Sequence, residues 1–161
     1  MHTVKRLSAG LLAAILVLFS AHAPAAEATH EHAHGANSAL TLDHGKRWAT
    51  DAALREGMSA LRAALAAQLP SIHRNTLDAA GYASLASTLE PALAGIFAHC
   101  HLPPAADAQL HNVLLPINAA IGRMKQAATV AERRDAAITV ISGLADYGRY
   151  FDHPGWKPLA E

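Results

Sequence analysis

Side chains that can bind metal ions occur at the ends of the apolar segments of this chain. Cys100, which stands between two histidines, ends one segment, and Asp107 and His111 open the next. Those two residues are four positions apart and therefore share one face of a helix. His153 follows the last apolar segment, and His44 precedes the first. Thiolate, imidazole and carboxylate are the usual ligands of zinc, and thiolate with imidazole also suits copper.

Four helices are predicted to position these side chains. Apolar residues recur at three- or four-residue steps in four segments with short connections, which favours an all-α, antiparallel up-down-up-down four-helix bundle. Thr50 is the expected N-cap of the first helix, and Pro91 and Pro116 are expected to kink the second and third. The predicted helices run over Asp51–Leu69, over Leu77–Cys100, over Ala105–Ala127, and from a capping box at Thr129 to the Pro154-Gly155 pair.

An antiparallel bundle brings the start of the first helix, the end of the second, the start of the third and the end of the fourth to one pole. The opposite pole carries only His73. The predicted metal site comprises Cys100, His111 and His153, with Asp107 in support and His44 as a further candidate. Ordinary structural roles remain the alternative, because a cysteine can be buried as a small apolar residue and the polar side chains can cap helix ends.

The first residues predict secretion. In residues 1–26, Lys5 and Arg6 precede an apolar run too short for a comfortable membrane span, and small residues suited to cleavage follow. We therefore expect a signal peptide and a periplasmic protein with no membrane association after cleavage. Residues 27–47 are expected to be a flexible segment, and residues 48–161 to form the bundle.

Three histidines alternate with other residues in the segment predicted to be flexible: His30, His32 and His34. Imidazoles on a mobile chain can hold divalent copper, nickel or zinc loosely. This arm is expected to be an auxiliary, low-affinity capture site.

Composition excludes several functions. The chain carries 13 basic and 13 acidic side chains, so no positive patch for nucleic acid is indicated. A single cysteine cannot form an intrachain disulfide. No nucleophile elbow, phosphate loop or His-Glu-x-x-His motif occurs, and His99 and His101 diverge from the Cys100 thiol because neighbouring helix residues are rotated by about 100°. An enzyme is therefore not expected.

Two stretches resemble the four-helix-bundle cytochromes, namely the cytochrome c-prime family and its soluble periplasmic b-type relatives. Residues 54–61, LREGMSAL, resemble their first helix, and residues 144–150, LADYGRY, resemble their last. The resemblance implies the topology and a periplasmic setting, and it aligns Met58 with a haem-ligating methionine. Gly148 takes the core-facing position on the turn where the family places the haem-ligating histidine, and Cys-x-x-Cys-His is absent, so haem is not expected.

Two further expectations concern packing. Trp48 and Trp156 are expected at the same pole, as a plug for the bundle end rather than a ligand lid. Gly148 is expected to face the interior beside Met58, with the remaining space closed by Leu54, Tyr147 and Phe151.

These patterns together predict a periplasmic, non-enzymatic protein that binds or handles a metal ion, copper first and zinc second. One alternative is a haem-free structural or interaction module that binds a protein partner or a second copy of itself. Another is a haem protein that uses Met58 and an unexpected imidazole.

Overall fold

Four helices make up the part of the chain that the computed structural model describes, residues 39–159. They are α1 (Ala52–His73), α2 (Ala79–His99), α3 (Pro104–Gln126) and α4 (Val130–Tyr150). Outside the helices, the backbone of these residues forms no strand. The prediction of an all-α four-helix bundle is confirmed. The predicted signal peptide and the three tail histidines lie outside the described residues.

The start of α1 differs from the prediction in its capping residue. Asp51, not Thr50, is the N-cap, and its Oδ1 accepts a hydrogen bond from the backbone N–H of Leu54 at 2.7 Å. The Thr50 hydroxyl instead donates to the carbonyl of Asp152 at 2.5 Å, so it is engaged by the chain that follows α4. A carboxylate caps a helix as well as a hydroxyl does, and it also favours the positive end of the helix dipole.

α1 continues past its predicted end at Leu69. Pro70 lies inside the helix, which runs on to His73. Proline removes one backbone donor, but the extra turn buries Ile72 completely. Burying an isoleucine side chain contributes about 1.5–3 kcal/mol, which exceeds the roughly 1 kcal/mol of one hydrogen bond.

The boundaries of the other helices are close to those predicted. α2 begins after Asp78, whose Oδ1 accepts from the N–H of Gly81 at 2.7 Å. α3 begins at Pro104, one position before the predicted start, because a proline lacks an N–H that the first turn does not need. The capping box of α4 is confirmed, since Thr129 and Glu132 each accept a hydrogen bond from the other's backbone N–H.

The core lies along the apolar stripes of the four helices. In α1 the apolar residues at helical spacing are all buried: Leu54, Met58, Leu61, Leu65 and Leu69. The same holds in α3 for Leu110, Leu114, Ile117, Ile121 and Met124, whereas Ile141 and Gly148 of α4 are only half-buried. Tyr82 of α2 is also fully buried. Pro91 and Pro116 lie inside α2 and α3, and both helices remain continuous around them.

Hydrogen bonds between helix ends establish an antiparallel arrangement. Asp51 Oδ2, before α1, accepts from the backbone N–H of His101, after α2, at 2.6 Å. Trp48 and Phe151 form a parallel bridge between the chain before α1 and the chain after α4. At the other end, Arg134 of α4 reaches the carbonyl at the end of α1. The start of α1, the end of α2, the start of α3 and the end of α4 lie together, and we call this end of the bundle the Cys100 pole.

The described part of the segment predicted to be flexible, residues 39–47, is held at the Cys100 pole. The N–H of Thr41 donates to Gln109 Oε1 of α3 at 2.9 Å, and Trp48 Nε1 donates to the carbonyl of Thr41 at 2.6 Å. Leu40 packs against the core. These contacts tie residues 40 and 41, which precede the predicted start of the bundle at residue 48, to its helices.

Replacing Gly57 by alanine is expected to destabilise the protein although alanine is the better helix former. A Cβ at Gly57 in α1 would lie 2.7 Å from Ile96 Cδ1 and 3.1 Å from the carbonyl oxygen of Ala92, both in α2. Overpacking of this kind costs about 1–3 kcal/mol, against a gain of up to about 1 kcal/mol in helix propensity. Urea denaturation followed by circular dichroism measures the difference.

Gly95 of α2 provides the matched control. A Cβ at Gly95 would meet nothing within 4 Å. Gly95→Ala should therefore stabilise the bundle by up to about 1 kcal/mol through helix propensity alone. Equal effects of the Gly57 and Gly95 substitutions would show that α1 and α2 do not approach each other closely at Gly57.

Candidate functional site

The turn between α2 and α3 positions the first two candidate ligands. Cys100 is the C-cap of α2: its N–H donates to the carbonyl of Ile96 at 2.9 Å, and its backbone then becomes extended. The chain enters α3 at Pro104, so Asp107 lies in the first turn of α3 and His111 one turn later. A short connection with two prolines thus brings the end of α2 next to the start of α3.

Three of the predicted site residues share one pocket of about 90 Å³ between α2 and α3, namely Cys100, Asp107 and His111. The other lining residues are apolar: Ile96, Phe97, Leu110 and Leu114. The structure therefore places a thiol, a carboxylate and an imidazole around one small, largely apolar space.

The imidazole of His111 is oriented by its own helix. Its Nδ1 lies 2.9 Å from the carbonyl oxygen of Asp107 and 3.5 Å from Asp107 Oδ2. A carbonyl oxygen can only accept a hydrogen bond, so in the neutral ring Nδ1 carries the proton. The lone pair is then on Nε2, which is the atom that can bind a metal ion.

The Cys100 thiol lies between two carboxylates. It is half-buried, near the carboxylates of Asp51 and Asp107. Burial raises the pKa of this thiol to about 11, and the negative charges of Asp51 and Asp107 act in the same direction. The metal-free protein therefore carries a neutral thiol at neutral pH, and an ion that binds the sulfur must displace its proton.

His153 lies at the same pole but does not line this pocket. Its Nδ1 is 2.9 Å from the Tyr147 hydroxyl, and its Nε2 is 3.5 Å from Ser59 Oγ. Burial lowers the pKa of the imidazole, with a further contribution from the Arg55 guanidinium, while Asp152 opposes the shift. His153 is thus a neutral imidazole that is already hydrogen-bonded.

Tyr147 connects the surroundings of His153 with those of Cys100. Its ring is fully buried, and burial raises the pKa of its hydroxyl well above the usual range. The charge of Arg55 lowers this pKa, whereas Cys100 and Asp51 raise it further. One buried tyrosine therefore separates the predicted ligand His153 from the Cys100 pocket.

His44 is the most exposed of the predicted ligands. Its side chain is 99% exposed and lies 3.9 Å from Asp43, in a turn where His44 has a φ of 48°. Within residues 39–159, no three histidine, cysteine, aspartate or glutamate side chains converge closely enough to hold a metal ion as they stand. Cys100, Asp107 and His111 are neighbours in the pocket, but the imidazole of His111 already contacts Asp107.

Trp156 occupies the space beside Gly148. A Cβ at Gly148 would lie 2.7 Å from Trp156 Cδ1, and the three nearest atoms all belong to that indole rather than to Met58. The indole also packs edge-on against Tyr147, with 4.9 Å between the ring centroids. The expectation that Gly148 faces Met58 is therefore wrong, because the C-terminal segment folds back over α4. Met58 itself is fully buried.

Asp51 is the one residue of the site that the sequence analysis did not single out. Its carboxylate accepts hydrogen bonds from the backbone N–H groups of Leu54 and His101, the residue directly after Cys100. Aspartate directly before an apolar helical stripe is a typical N-cap. That signal, together with the predicted antiparallel topology, could have placed a carboxylate beside Cys100.

No helix among the described residues combines the length and apolar character needed to cross a membrane. Comparisons of the chain with protein-family models, with curated proteins and with solved structures give no match.

Proposed function

We propose that the protein is a non-enzymatic, metal-binding protein of the periplasm that binds copper(I) in preference to zinc through Cys100, Asp107 and His111. The observation that carries this proposal is the pocket lined by one thiol, one carboxylate and one imidazole. The signal-peptide pattern of residues 1–26 supports the compartment.

Binding requires the side chains of the pocket to move. The Cys100 thiol must lose its proton, since a thiolate is the form that binds metal. His111 needs less change, because its Nδ1 contact with the Asp107 carbonyl leaves Nε2 available. A hydrogen bond of that kind from the second ring nitrogen is typical of histidines that bind metals.

The donor set favours copper(I) over zinc. Soft thiolate with imidazole selects copper(I), and the remaining walls of the pocket are apolar. Zinc usually takes four ligands and would need a donor beyond these three. His153 and His44 remain proposed additional donors that would have to move to the pocket, and the tail histidines 30, 32 and 34 a proposed capture arm.

Thermal unfolding with and without copper(I) tests the proposal. In oxygen-free buffer, free ion at about one hundred times its Kd should stabilise the wild type by about 2.7 kcal/mol. Cys100→Ser should abolish the rise in Tm, because a hydroxyl is a poor ligand for a soft ion, and His111→Gln should reduce it. His73→Gln is the control, since His73 is exposed at the far end of α1 and should leave the rise unchanged.

Equal copper-induced shifts in the wild type and Cys100→Ser would contradict the metal proposal. The remaining function would then be the interaction module, for which two large apolar side chains are available on the surface. Phe97 of α2 is 48% exposed and Leu115 of α3 is 55% exposed.

A further inference from the structure

We propose that Asp51 is the positioning residue of the Cys100 pocket, holding the backbone directly after Cys100 and tying the start of α1 to the turn in which the metal ligand lies. The inference rests on the proposed metal function for its consequence, but its structural basis is the set of contacts that Asp51 makes. It adds to the site a residue from a third part of the chain.

Both carboxylate oxygens of Asp51 are fixed by backbone groups. Oδ1 accepts from the N–H of Leu54 at 2.7 Å, and Oδ2 accepts from the N–H of His101 at 2.6 Å. Asp51 is thus a fixed acceptor of two backbone hydrogen bonds.

The bond to His101 lets Asp51 position Cys100. His101 follows Cys100 directly, so the carboxylate fixes the peptide next to the cysteine and with it the direction in which the thiol leaves the backbone. The two oxygens serve one backbone N–H each, so both helix ends are held by the same side chain. When a metal ion replaces the thiol proton, the proton leaves to solvent and the two backbone bonds remain.

Replacement of such an outer hydrogen-bonding partner typically weakens metal binding 10- to 100-fold. Asp51→Asn is the informative change, because asparagine is also a good N-cap and keeps an acceptor for Leu54, yet its amide nitrogen cannot accept from the N–H of His101. Asp78→Asn is the matched control. Asp78 caps α2 in the same way, through Gly81, and is exposed.

The experiment compares cobalt(II) as a spectroscopic probe and copper(I) in competition titrations, using the mature chain. Asp51→Asn should weaken copper(I) binding 10- to 100-fold and alter the sulfur-to-cobalt charge-transfer band. Asp78→Asn should change neither, because it makes the same substitution at an N-cap whose hydrogen bond stays within its own helix. Asp51→Ser, a good N-cap with a shorter side chain, repeats the test if the asparagine variant folds poorly.

Each outcome decides between the two proposals. Unchanged affinity and an unchanged charge-transfer band in both Asp51 variants would overturn the role of Asp51 while leaving metal binding intact. An absence of binding in the wild type would instead overturn the proposed function. Weakened binding in the Asp78 variant as well would also overturn the positioning role, because a change of N-cap residue alone would then account for the effect.

Discussion

Raising the pH from 7 to 9 is expected to tighten copper(I) binding to the wild-type protein about a hundredfold. The pKa of the Cys100 thiol is about 11, so the metal-free site is protonated over this whole range. Binding of an ion to the sulfur releases that proton, and release of one proton makes the apparent affinity rise about tenfold per pH unit. The sign is fixed because only the metal-free state holds the proton.

The measurement is a competition titration with a copper(I) chelator at several pH values. A protein-free titration of the chelator corrects for its own response to pH, and Cys100→Ser is the control that should show no binding at any of these pH values. The corrected affinity of the wild type should rise with a slope near one per pH unit on a logarithmic scale. A wild-type affinity that does not change with pH would mean that the sulfur does not bind the ion, and the proposed site would then lose its central ligand.

The helices and their polarity could be predicted from the sequence because burial is periodic. The stripe from Leu54 to Leu69 repeats at helical spacing, and every one of its residues is buried. Short connections then require neighbouring helices to be antiparallel, which places Cys100 near Asp107 and His111. That part of the site needs only the positions of helix ends, and these are encoded by prolines and capping residues.

The position of His153 could not be predicted in the same way. After α4 the chain turns at Gly155, which has a φ of 79°, and the N–H of Trp156 donates to the carbonyl of His153 at 3.0 Å. This turn packs the indole against Gly148 and the imidazole against Tyr147. The direction of a side chain beyond the last helical turn depends on such tertiary contacts, which periodicity does not contain.

Asp51 illustrates a second limit. A cap is a local feature, and the sequence predicts Thr50 as the N-cap, one residue before the observed Asp51. Its second oxygen bonds the backbone of His101, which is 50 residues away in the chain. A contact of that kind follows from how two helix ends meet, so it becomes visible only in the folded structure.

Phe151→Ala is expected to lower the free energy of unfolding by about 3–5 kcal/mol, a large share of the stability of a domain of this size. Phe151 is fully buried at the Cys100 pole, where its ring stacks on Tyr147 with 5.5 Å between the centroids. Its backbone also bridges to Trp48, so its side chain anchors the chain after α4 against the chain before α1.

Phe97→Ala is the matched control for this substitution. Phe97 is 48% exposed, and its replacement should cost about 1 kcal/mol, since only about half of its surface leaves water on folding. Urea denaturation of both variants gives the comparison. Similar losses would mean that the segment after α4 does not pack onto the bundle in solution as described.

Phe151→Ala also tests whether His153 is a ligand of the metal site. Loosening the segment after α4 should displace His153, which is held there by Tyr147, while the pocket between α2 and α3 keeps its own walls. Under conditions where Phe151→Ala remains folded, copper(I) affinity should therefore change by only a few fold if Cys100, Asp107 and His111 hold the ion. A loss comparable with that of Cys100→Ser in both Phe151→Ala and His153→Gln would instead make His153 a ligand, because the second substitution leaves the anchor at Phe151 and Trp48 in place.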